Sequence, residues 1–301
     1  MAKKFIYIPA VNLFVRTVLS PFKSIVPVKY RFPVTGKITV KLPESKSFIF
    51  SGNETSPHTR QMFWYGIEGF EYGTLNVFIH LIKQSKCFFD IGANIGYYSL
   101  TAACYNTKTN IYAFEPLPAA LKYLKINIAL NHFNNIVAND LALSNSKGEA
   151  VFYSYLNPKF KHISEHLRGD SSLVIGDDIA GERIEFKVET QTLDEYVKLN
   201  LKSEQKIDLL KIDTEGSENL VFEGGQMVLS EHRPIIMCEI IKGGIEKIID
   251  SQLSTHNYKF YLIDDKGLIH KTKIEPESIK EDYFCVPQEK VSLIESFILK
   301  K

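Results

Sequence analysis

The chain has few cysteines and places them far apart. Cys87, Cys104, Cys238 and Cys285 form no C-x-x-C pair, and this spacing argues against a zinc ribbon and against a thioredoxin-like redox site. Cys87 and Cys238 lie in apolar, strand-like runs, where a free thiol packs as a small hydrophobic side chain. Because these features favour a reducing compartment, we expect a cytoplasmic protein.

An excess of charge of either sign is also absent. The 301 residues include 36 Lys and Arg against 35 Asp and Glu, so the net charge is +1. Because affinity for nucleic acid comes largely from basic residues, no nucleic-acid partner is expected. A small or neutral substrate is expected instead.

The N-terminal region lacks an apolar run long enough to span a bilayer. Residues 5–15 are mostly apolar, but Arg16 interrupts them, and the segment also makes a poor signal peptide. Two roles remain open for it. It either contacts a membrane surface, which suits a segment preceded by Lys3 and Lys4, or packs as a helix on the domain or on a second subunit of a homodimer.

The pattern of the sequence changes near residue 75, which suggests a division of the chain there. Residues 1–75 contain scattered prolines and short β-like runs at 37–42 and 47–50, and we predict an N-terminal extension without a core of its own. Residues 76–301 alternate short apolar runs with helical patterns. This alternation predicts one α/β domain with a doubly wound, mostly parallel sheet. The polar segment 157–184 interrupts the rhythm and predicts a mobile surface loop or a lid over a site.

The predicted elements are short and well separated. Apolar runs rich in β-branched and aromatic residues predict strands covered on both faces, and a period near 3.6 residues predicts the helices between them. The predicted strands are residues 87–91, 111–114, 136–139, 149–155, 207–212, 235–240 and 260–263. The predicted helices are residues 97–105, 118–130, 217–229 and 245–253.

The run FFDIGANIG at residues 88–96 is the most informative motif. It reads as a buried strand, a tight loop with Gly92 and Gly96, and the start of a helix, which is a junction that binds nucleotides. The third glycine of a dinucleotide fingerprint is missing, as is the lysine of a P-loop. Asp90 would repel a pyrophosphate and attract the amino group of a methionine moiety, which indicates S-adenosylmethionine. The alternative is an acid that caps a helix.

Two further strand ends carry polar residues. Glu115 follows the second strand, where a carboxylate can accept hydrogen bonds from both ribose hydroxyls. Asn139 or Asp140, at the end of the third strand, would reach the adenine edge, and the sequence does not choose between them. A solvated strand end and ordinary turn chemistry are the alternatives for these positions.

Acids also crowd the ends of the fourth and fifth strands. Asp213, Glu215 and Glu218 follow the fourth strand, in which Lys211 lies, and Glu239 lies on the fifth. Glu215 and Glu218 could instead serve the N-terminus of the next helix. Asp213 and Glu239 could bind a divalent cation such as Mg²⁺, share a proton or orient a hydroxyl.

Taken in order, these motifs resemble the FkbM family of S-adenosylmethionine-dependent methyltransferases. The resemblance covers about residues 67–288 and leaves the first 66 residues poorly matched. The matching segments are FFDIGANIGYYS, AFEPLPAALKYLKINIALN, NDLALSNSKGEAVFY, TLDEY, LLKIDTEGSENLVFEGG, PIIMCEI and DYFCVP.

This resemblance implies a class I methyltransferase fold, a seven-stranded sheet whose last strand is antiparallel. It implies methyl transfer to an oxygen, often on a sugar or a natural product, so that a small-molecule or glycan acceptor is expected. At the methionine end of the cofactor it implies Asp90, Gly92, Asn94 and Gly96. At the ribose it implies Glu115, and near the acceptor it implies the acids Asp213, Glu215 and Glu239.

Two other classes of function remain open. An NAD-linked oxidoreductase also uses a doubly wound sheet and an acid after the second strand, although the missing glycine and Asp90 argue against it. A non-catalytic scaffold would keep the fold without the reaction, although the intact acids argue against that. The favoured prediction is an S-adenosylmethionine-dependent methyltransferase that uses Asp213 as base or orienter of the acceptor hydroxyl, with Glu239 as its partner.

Overall fold

The computed structural model describes residues 5–67, 72–156, 158–160, 163, 165–167, 171–174 and 182–300. Half of the predicted mobile loop or lid, residues 157–184, lies outside the described residues. The elements follow in chain order as α1 (Pro9–Leu19), β1 (Gly36–Lys41), β2 (Ser47–Gly52), α2 (Pro57–Tyr65), α3 (Tyr72–Ile82), β3 (Cys87–Ile91), α4 (Tyr97–Tyr105), β4 (Asn110–Phe114), α5 (Pro118–Leu130), β5 (Ile136–Asn139), β6 (Ala142–Ser144), β7 (Gly148–Leu156), β8 (Glu182–Thr192), α6 (Leu193–Asn200), β9 (Leu209–Ile212), α7 (Glu218–Glu223), β10 (Ile235–Ile241), α8 (Ile245–Ser254), β11 (Tyr258–Asp264), β12 (Gly267–Lys271) and β13 (Lys280–Pro287).

Within the described residues, eight strands form one central sheet in the order β12-β11-β13-β10-β9-β3-β4-β5. The pairs from β10 to β5 are parallel, and β13 is antiparallel to both β10 and β11. The chain starts in the middle with β3, moves outward to β5 and then returns to β9 on the other side. The connections that leave the neighbouring strands β3 and β9 therefore run to opposite halves of the sheet. The gap between these two strand ends is the topological switch point, where α/β proteins bind ligands.

The predicted α/β class with a doubly wound, mostly parallel sheet is confirmed. All five residues of β3 are buried, because helices cover both faces of the sheet. Phe88 packs into the core on one face and Phe89 into the core on the other. The thiols of Cys87 and Cys238 are buried and free, as the apolar runs around them predict.

Three sequence predictions need correction. The sheet gains an eighth strand, because the turn after Asp264 folds β12 back against β11. The sequence analysis predicted no strand at residues 182–192, but β8 lies there and pairs with β7 and β6 in a separate sheet. The apolar residues of β8 alternate with charged ones, as in a strand with one solvated face. Helix α7 ends at Glu223 rather than at residue 229, because Gly224 and Gly225, which are poor helix formers, follow it. Gly224 also packs against β6, where a Cβ would lie 2.2 Å from the carbonyl oxygen of Ser144.

The N-terminal hairpin β1–β2 packs on the larger domain. Its apolar side chains belong to the same buried cluster as those of α3 and α4, and the ring of Phe48 lies 6.4 Å from that of Tyr97, centroid to centroid. No helix in the described part of the chain has both the length and the apolar character needed to cross a membrane.

Two asparagines one turn apart on α5 clamp the free edge of β2. The Asn127 side chain accepts a hydrogen bond from the Ser51 N–H at 2.7 Å and donates to the Ser51 carbonyl at 3.1 Å. Asn131 makes the same pair of contacts with Ile49, two residues away along the strand. Asn127 also donates to the carbonyl of Ile95 at 2.9 Å. One fully buried side chain therefore ties the hairpin to the loop after β3.

We expect Asn127→Ala to destabilise the protein by about 2–3 kcal/mol, because it leaves buried backbone groups of Ser51 and Ile95 without partners. Urea unfolding followed by circular dichroism measures this loss. The matched control is Asn131→Ala, which removes the equivalent contacts near the surface and should cost less than about 1 kcal/mol, since water replaces them. Equal losses in the two variants would contradict the clamp.

Candidate functional site

A cleft opens at the carboxyl ends of β3, β4 and β9. It encloses about 900 Å³ of empty space, its open mouth included. Of the residues predicted from the sequence, five line it: Gly92, Asn94, Glu115, Asp213 and Glu215. The other predicted residues do not form its wall: Asp90, Gly96, Asn139, Asp140 and Glu239.

The floor of the cleft is the loop after β3, and it depends on glycine. Gly92 has φ +74°, and a Cβ at this position would lie 1.8 Å from the carbonyl oxygen of Asp213. The N–H groups of Gly92 and Ala93 both donate to the carbonyl of Phe114, at 3.1 and 3.0 Å. The loop is thus pressed between the ends of β9 and β4, and only a residue without a side chain fits there.

Gly96 supports this loop from behind. It has φ +98°, it immediately precedes α4, and a Cβ there would lie 2.6 Å from Cδ1 of Leu124. Gly96 is therefore a packing position between α4 and α5 rather than part of the cleft wall.

Glu115 closes the cleft on the side of β4. Its two carboxylate oxygens accept hydrogen bonds from the N–H groups of Asn94 and Leu117, both at 2.8 Å. Burial raises the pKa of Glu115 to about 7, although these two bonds act in the opposite direction. Each oxygen keeps a further lone pair, so the carboxylate can still accept hydroxyl donors from the cleft.

Asp90 lies beneath the cleft instead of on its wall. It is 1% exposed, and its Oδ2 accepts a hydrogen bond from the hydroxyl of Ser99 at 2.6 Å. Its Oδ1 lies 3.9 Å from Nζ of Lys211. Burial raises the pKa of Asp90, and Lys211 opposes that shift. The structure therefore places Lys211, itself a wall residue, next to the acid that the sequence analysis assigned to a cationic ligand.

The acids at the ends of β9 and β10 converge. One carboxylate oxygen from each of Asp213, Glu215 and Glu239 lies within 4.8 Å of the other two. Lys280 of β13 forms ion pairs with both Glu215 and Glu239, the latter at 3.1 Å. Asp213 pairs instead with Lys211, Oδ2 to Nζ at 3.1 Å.

Repulsion among these three carboxylates favours the protonated forms of Glu215 and Glu239. Burial and the nearby charge of Asp213 raise the pKa of Glu215 to about 8 and that of Glu239 to about 7. Burial alone would lower the pKa of Lys280, but the two carboxylates raise it. The cluster is therefore an acidic wall whose outer half is neutralised by one ammonium group.

Glu218, the remaining acid of this stretch, shapes the loop. Its side chain is fully buried, and Oε1 accepts hydrogen bonds from the N–H groups of Thr214 and Gly216 at 2.9 and 3.0 Å. Burial raises its pKa. Glu218 thus holds the turn that carries Asp213 and Glu215, which agrees with the helix-end role left open for it.

His58 lines the cleft and was missed by the sequence analysis. It comes from α2 in the N-terminal extension, a helix that starts with Pro57 and is capped by Ser56, whose hydroxyl accepts the N–H of Thr59 at 3.3 Å. Its imidazole hydrogen-bonds with Asn94 and lies near the charged groups of Asp213, which raises its pKa, and Lys211, which lowers it. Burial lowers the pKa of His58 to about 4, although Asp213 acts in the opposite direction. The ring is therefore neutral at neutral pH.

The end of β5 contributes differently from the prediction. The Asn139 amide donates to the carbonyl of Ala113 at 3.2 Å and accepts the hydroxyl of Tyr196 at 2.9 Å. Asp140 is exposed on the outer surface. Neither side chain reaches the cleft, because the chain turns back after β5 and brings apolar Leu141 and Leu143 to the wall instead.

Two residues of the predicted lid, Ser171 and Leu173, lie on the cleft wall. Between them, Ser172 donates its hydroxyl to the carbonyl of Thr214 at 2.8 Å and bridges to Tyr153 of β7. The last three residues of the predicted lid, 182–184, belong to strand β8.

The strand order, the antiparallel β13 and the glycine loop at the switch point define a class I methyltransferase fold. A family model described as the methyltransferase FkbM domain matches residues 90–260, more than half of the chain. The chain therefore belongs to the FkbM methyltransferase family.

Individual proteins similar to this chain bear methyltransferase names. Methyltransferase sdnD of Sordaria araneosa is 29% identical over 203 residues, which is 59% of this chain and 71% of that protein. A solved methyltransferase FkbM from Methylobacillus flagellatus KT is 15% identical with a TM-score of 0.43; the match covers 66% of this chain but 43% of that one. TYW2 of M. jannaschii, solved in complex with AdoMet, is 15% identical with a TM-score of 0.40, covering 84% of this chain and 86% of that one.

We expect Gly92→Ala to destabilise the fold by at least about 3 kcal/mol, because a methyl group there overlaps the backbone of Asp213. Chemical unfolding measures the change. Gly36→Ala is a matched control: Gly36 has the same φ of +74° but no atom within 4 Å of an added Cβ, so it should lose only about 1–2 kcal/mol from backbone strain. Similar losses in both variants would show that the contact with Asp213 is relieved easily.

Proposed function

We propose that this protein transfers a methyl group from S-adenosylmethionine to a hydroxyl oxygen of a sugar, a glycan or another natural product. The main support is that two carboxylates line the same cleft, Glu115 on one side and Asp213 on the other. When bound, S-adenosylmethionine supplies an electrophilic methyl group on a sulfonium, which leaves as a neutral thioether while the acceptor hydroxyl gives up its proton.

The residues of the cleft suit this cofactor. Glu115 offers a carboxylate beside the glycine loop, where it can accept hydrogen bonds from the two hydroxyls of a ribose. Phe114, Leu141 and Leu143 give the neighbouring wall an apolar surface of the kind that contacts an aromatic base. Gly92 leaves room for the ligand to approach the backbone, and we assign Asp90 the indirect role of holding Lys211.

On the opposite wall we assign Asp213 the contact with the acceptor hydroxyl. Its carboxylate is 30% exposed, so it is open to the cleft while it pairs with Lys211. The carboxylate accepts a hydrogen bond from the hydroxyl, and in this way it orients the oxygen and receives the proton as the new bond forms. His58 lies beside it as a neutral ring and provides a second group able to accept or relay that proton.

Glu215 and Glu239 act on this wall by holding Lys280 at its outer edge. Since Lys280 binds both, we propose that an ammonium group, rather than a divalent cation, neutralises this part of the cluster. Glu239 then serves as a positioning residue, because it holds Lys280 and lies behind the wall.

The first experiment is calorimetric titration of the protein with S-adenosylmethionine and, separately, with NAD. We expect binding of the first alone, and Glu115→Ala should weaken it by at least about tenfold through the lost charge-assisted hydrogen bonds. Asp140→Ala is the control and should bind as the wild type does, because Asp140 lies outside the cleft.

Binding of NAD instead would contradict the proposal and favour the oxidoreductase. Binding of S-adenosylmethionine must also lead to a product. Extracts incubated with the isotopically labelled cofactor should yield a compound that has gained one methyl group, detected by mass spectrometry. Cofactor binding without any methylated product would favour the non-catalytic scaffold.

Once an acceptor is found, Asp213→Asn should lower kcat by about 10²-fold or more, because it removes the proton acceptor. The affinity for S-adenosylmethionine should stay within about threefold, a change of less than 1 kcal/mol. His58→Asn should lower kcat by a smaller factor. Turnover should continue in excess EDTA.

The control for this series is Asp140→Asn, the same acid-to-amide change outside the cleft, and it should turn over normally. Wild-type turnover by Asp213→Asn would remove Asp213 from the reaction. Loss of turnover in EDTA that Mg²⁺ restores would assign the acidic cluster to a metal instead of to Lys280.

A further inference from the structure

Helix α1 is amphipathic in the inverted sense, with its polar residues inside. Asn12 is fully buried; its amide donates to the carbonyls of Ile6 and Pro33, both at 2.9 Å, and accepts the N–H of Thr35 at 3.2 Å. Arg16, one turn later, donates to the carbonyl of Thr35 at 2.8 Å. These hydrogen bonds hold the polar face of α1 against the chain that leads into β1.

The opposite face of α1 is apolar and exposed. Leu13 and Phe14 are 55% and 68% exposed, and Val18 follows one turn later on the same side. The next turn continues this surface with exposed Phe22 and Ile25. We name these five residues the apolar face. Large apolar side chains exposed together indicate a contact surface, whereas single ones are ordinary.

The segment of the chain that carries the apolar face contains basic residues and no acidic ones. The first 43 residues contain eight Lys and Arg and no Asp or Glu, although the whole chain is nearly neutral. Lys23 follows Phe22, and Lys29 is exposed close by in the chain. Basic residues beside an exposed apolar helix face are the combination that binds anionic lipid surfaces.

We propose that the apolar face and the lysines beside it dock this protein onto the surface of an anionic lipid bilayer. At 11 residues α1 is about 16 Å long, so it is suited to lie in the plane of the headgroups, with Leu13 and Phe14 pointing into the acyl chains. A second copy of the chain is a poorer partner, because a twofold contact would bring two basic segments together.

The apolar face is connected to the cleft through α2. The indole N–H of Trp64 on α2 donates to the carbonyl of Phe32 at 2.9 Å, and Nζ of Lys23 lies 3.2 Å from the carbonyl of Phe63. The same helix carries His58 into the cleft. Docking would therefore hold the cleft in a fixed orientation toward the bilayer, whichever acceptor it uses.

The test is co-sedimentation of the full chain with vesicles of phosphatidylcholine alone and of phosphatidylcholine with about a third phosphatidylglycerol. We expect the protein to pellet with the anionic vesicles and to be released by salt. The double variant Leu13→Ser, Phe14→Ser should reduce binding at least about tenfold, because it removes the apolar anchors. Lys29→Gln should reduce binding by a smaller factor.

The matched control is Leu199→Ser, Ile279→Ser, which removes two apolar side chains that are 66% and 77% exposed elsewhere on the molecule. It should bind vesicles as the wild type does, and circular dichroism should show that both double variants fold. Failure to pellet at low salt, or equal binding by all variants, would overturn the proposal. So would a dimer in light scattering that the Leu13→Ser, Phe14→Ser variant dissociates, since the apolar face would then bind a second copy.

Discussion

The site depends on a contact between two stretches of backbone. The loop after β3 meets the end of β9 so closely that the carbonyl oxygen of Asp213 occupies the place of a Cβ on Gly92. Because β3 and β9 are neighbours in the sheet but not in the chain, this contact brings the two halves of the fold together at the switch point. Glu115 belongs to one half and Asp213 to the other. Their separation across the cleft is therefore set by main-chain packing, which is far stiffer than any pairing of side chains.

Several carboxylates lie around this contact, and burial makes it unfavourable for all of them to be ionised at once. Burial raises the pKa of Asp90, Glu115 and Glu215 alike. Two lysines balance the group from opposite ends, Lys211 between Asp90 and Asp213 and Lys280 among the outer acids. A cleft of this kind favours a ligand that brings positive charge of its own, since such a ligand relieves the remaining repulsion. Pyrophosphate would add to it.

The sequence predicted the centre of the fold well because local signals and burial agree there. Strand β3 is buried throughout and apolar apart from Asp90, and it is followed at once by Gly92, where no side chain fits, so its bounds and its loop were both predicted. Asp90 shows where this reasoning stops. Its place two residues before Gly92 in the motif does not reveal that its side chain is buried beneath the cleft and bonded to Ser99. Likewise, Asn139 lies at the correct strand end, but its amide is used by the backbone of Ala113 and by Tyr196.

His58 could not have been found from the motifs, because it lies outside the segments that resemble the family and the part of the chain that carries it looked irregular. What signal there was is the Ser56–Pro57 helix start, which predicts a helix but not its position. Its place follows from long-range contacts: Asn127 ties β2 to the loop that holds Asn94, and α2 follows β2 after a short turn. The N-terminal extension thus contributes the side chain of His58 to the wall of the cleft. Removing residues 1–75 would take away the imidazole of His58 from the cleft and the strand that Asn127 holds beside the loop after β3. The extension is in this sense a part of the cleft, although from the sequence alone it had the appearance of an appendage.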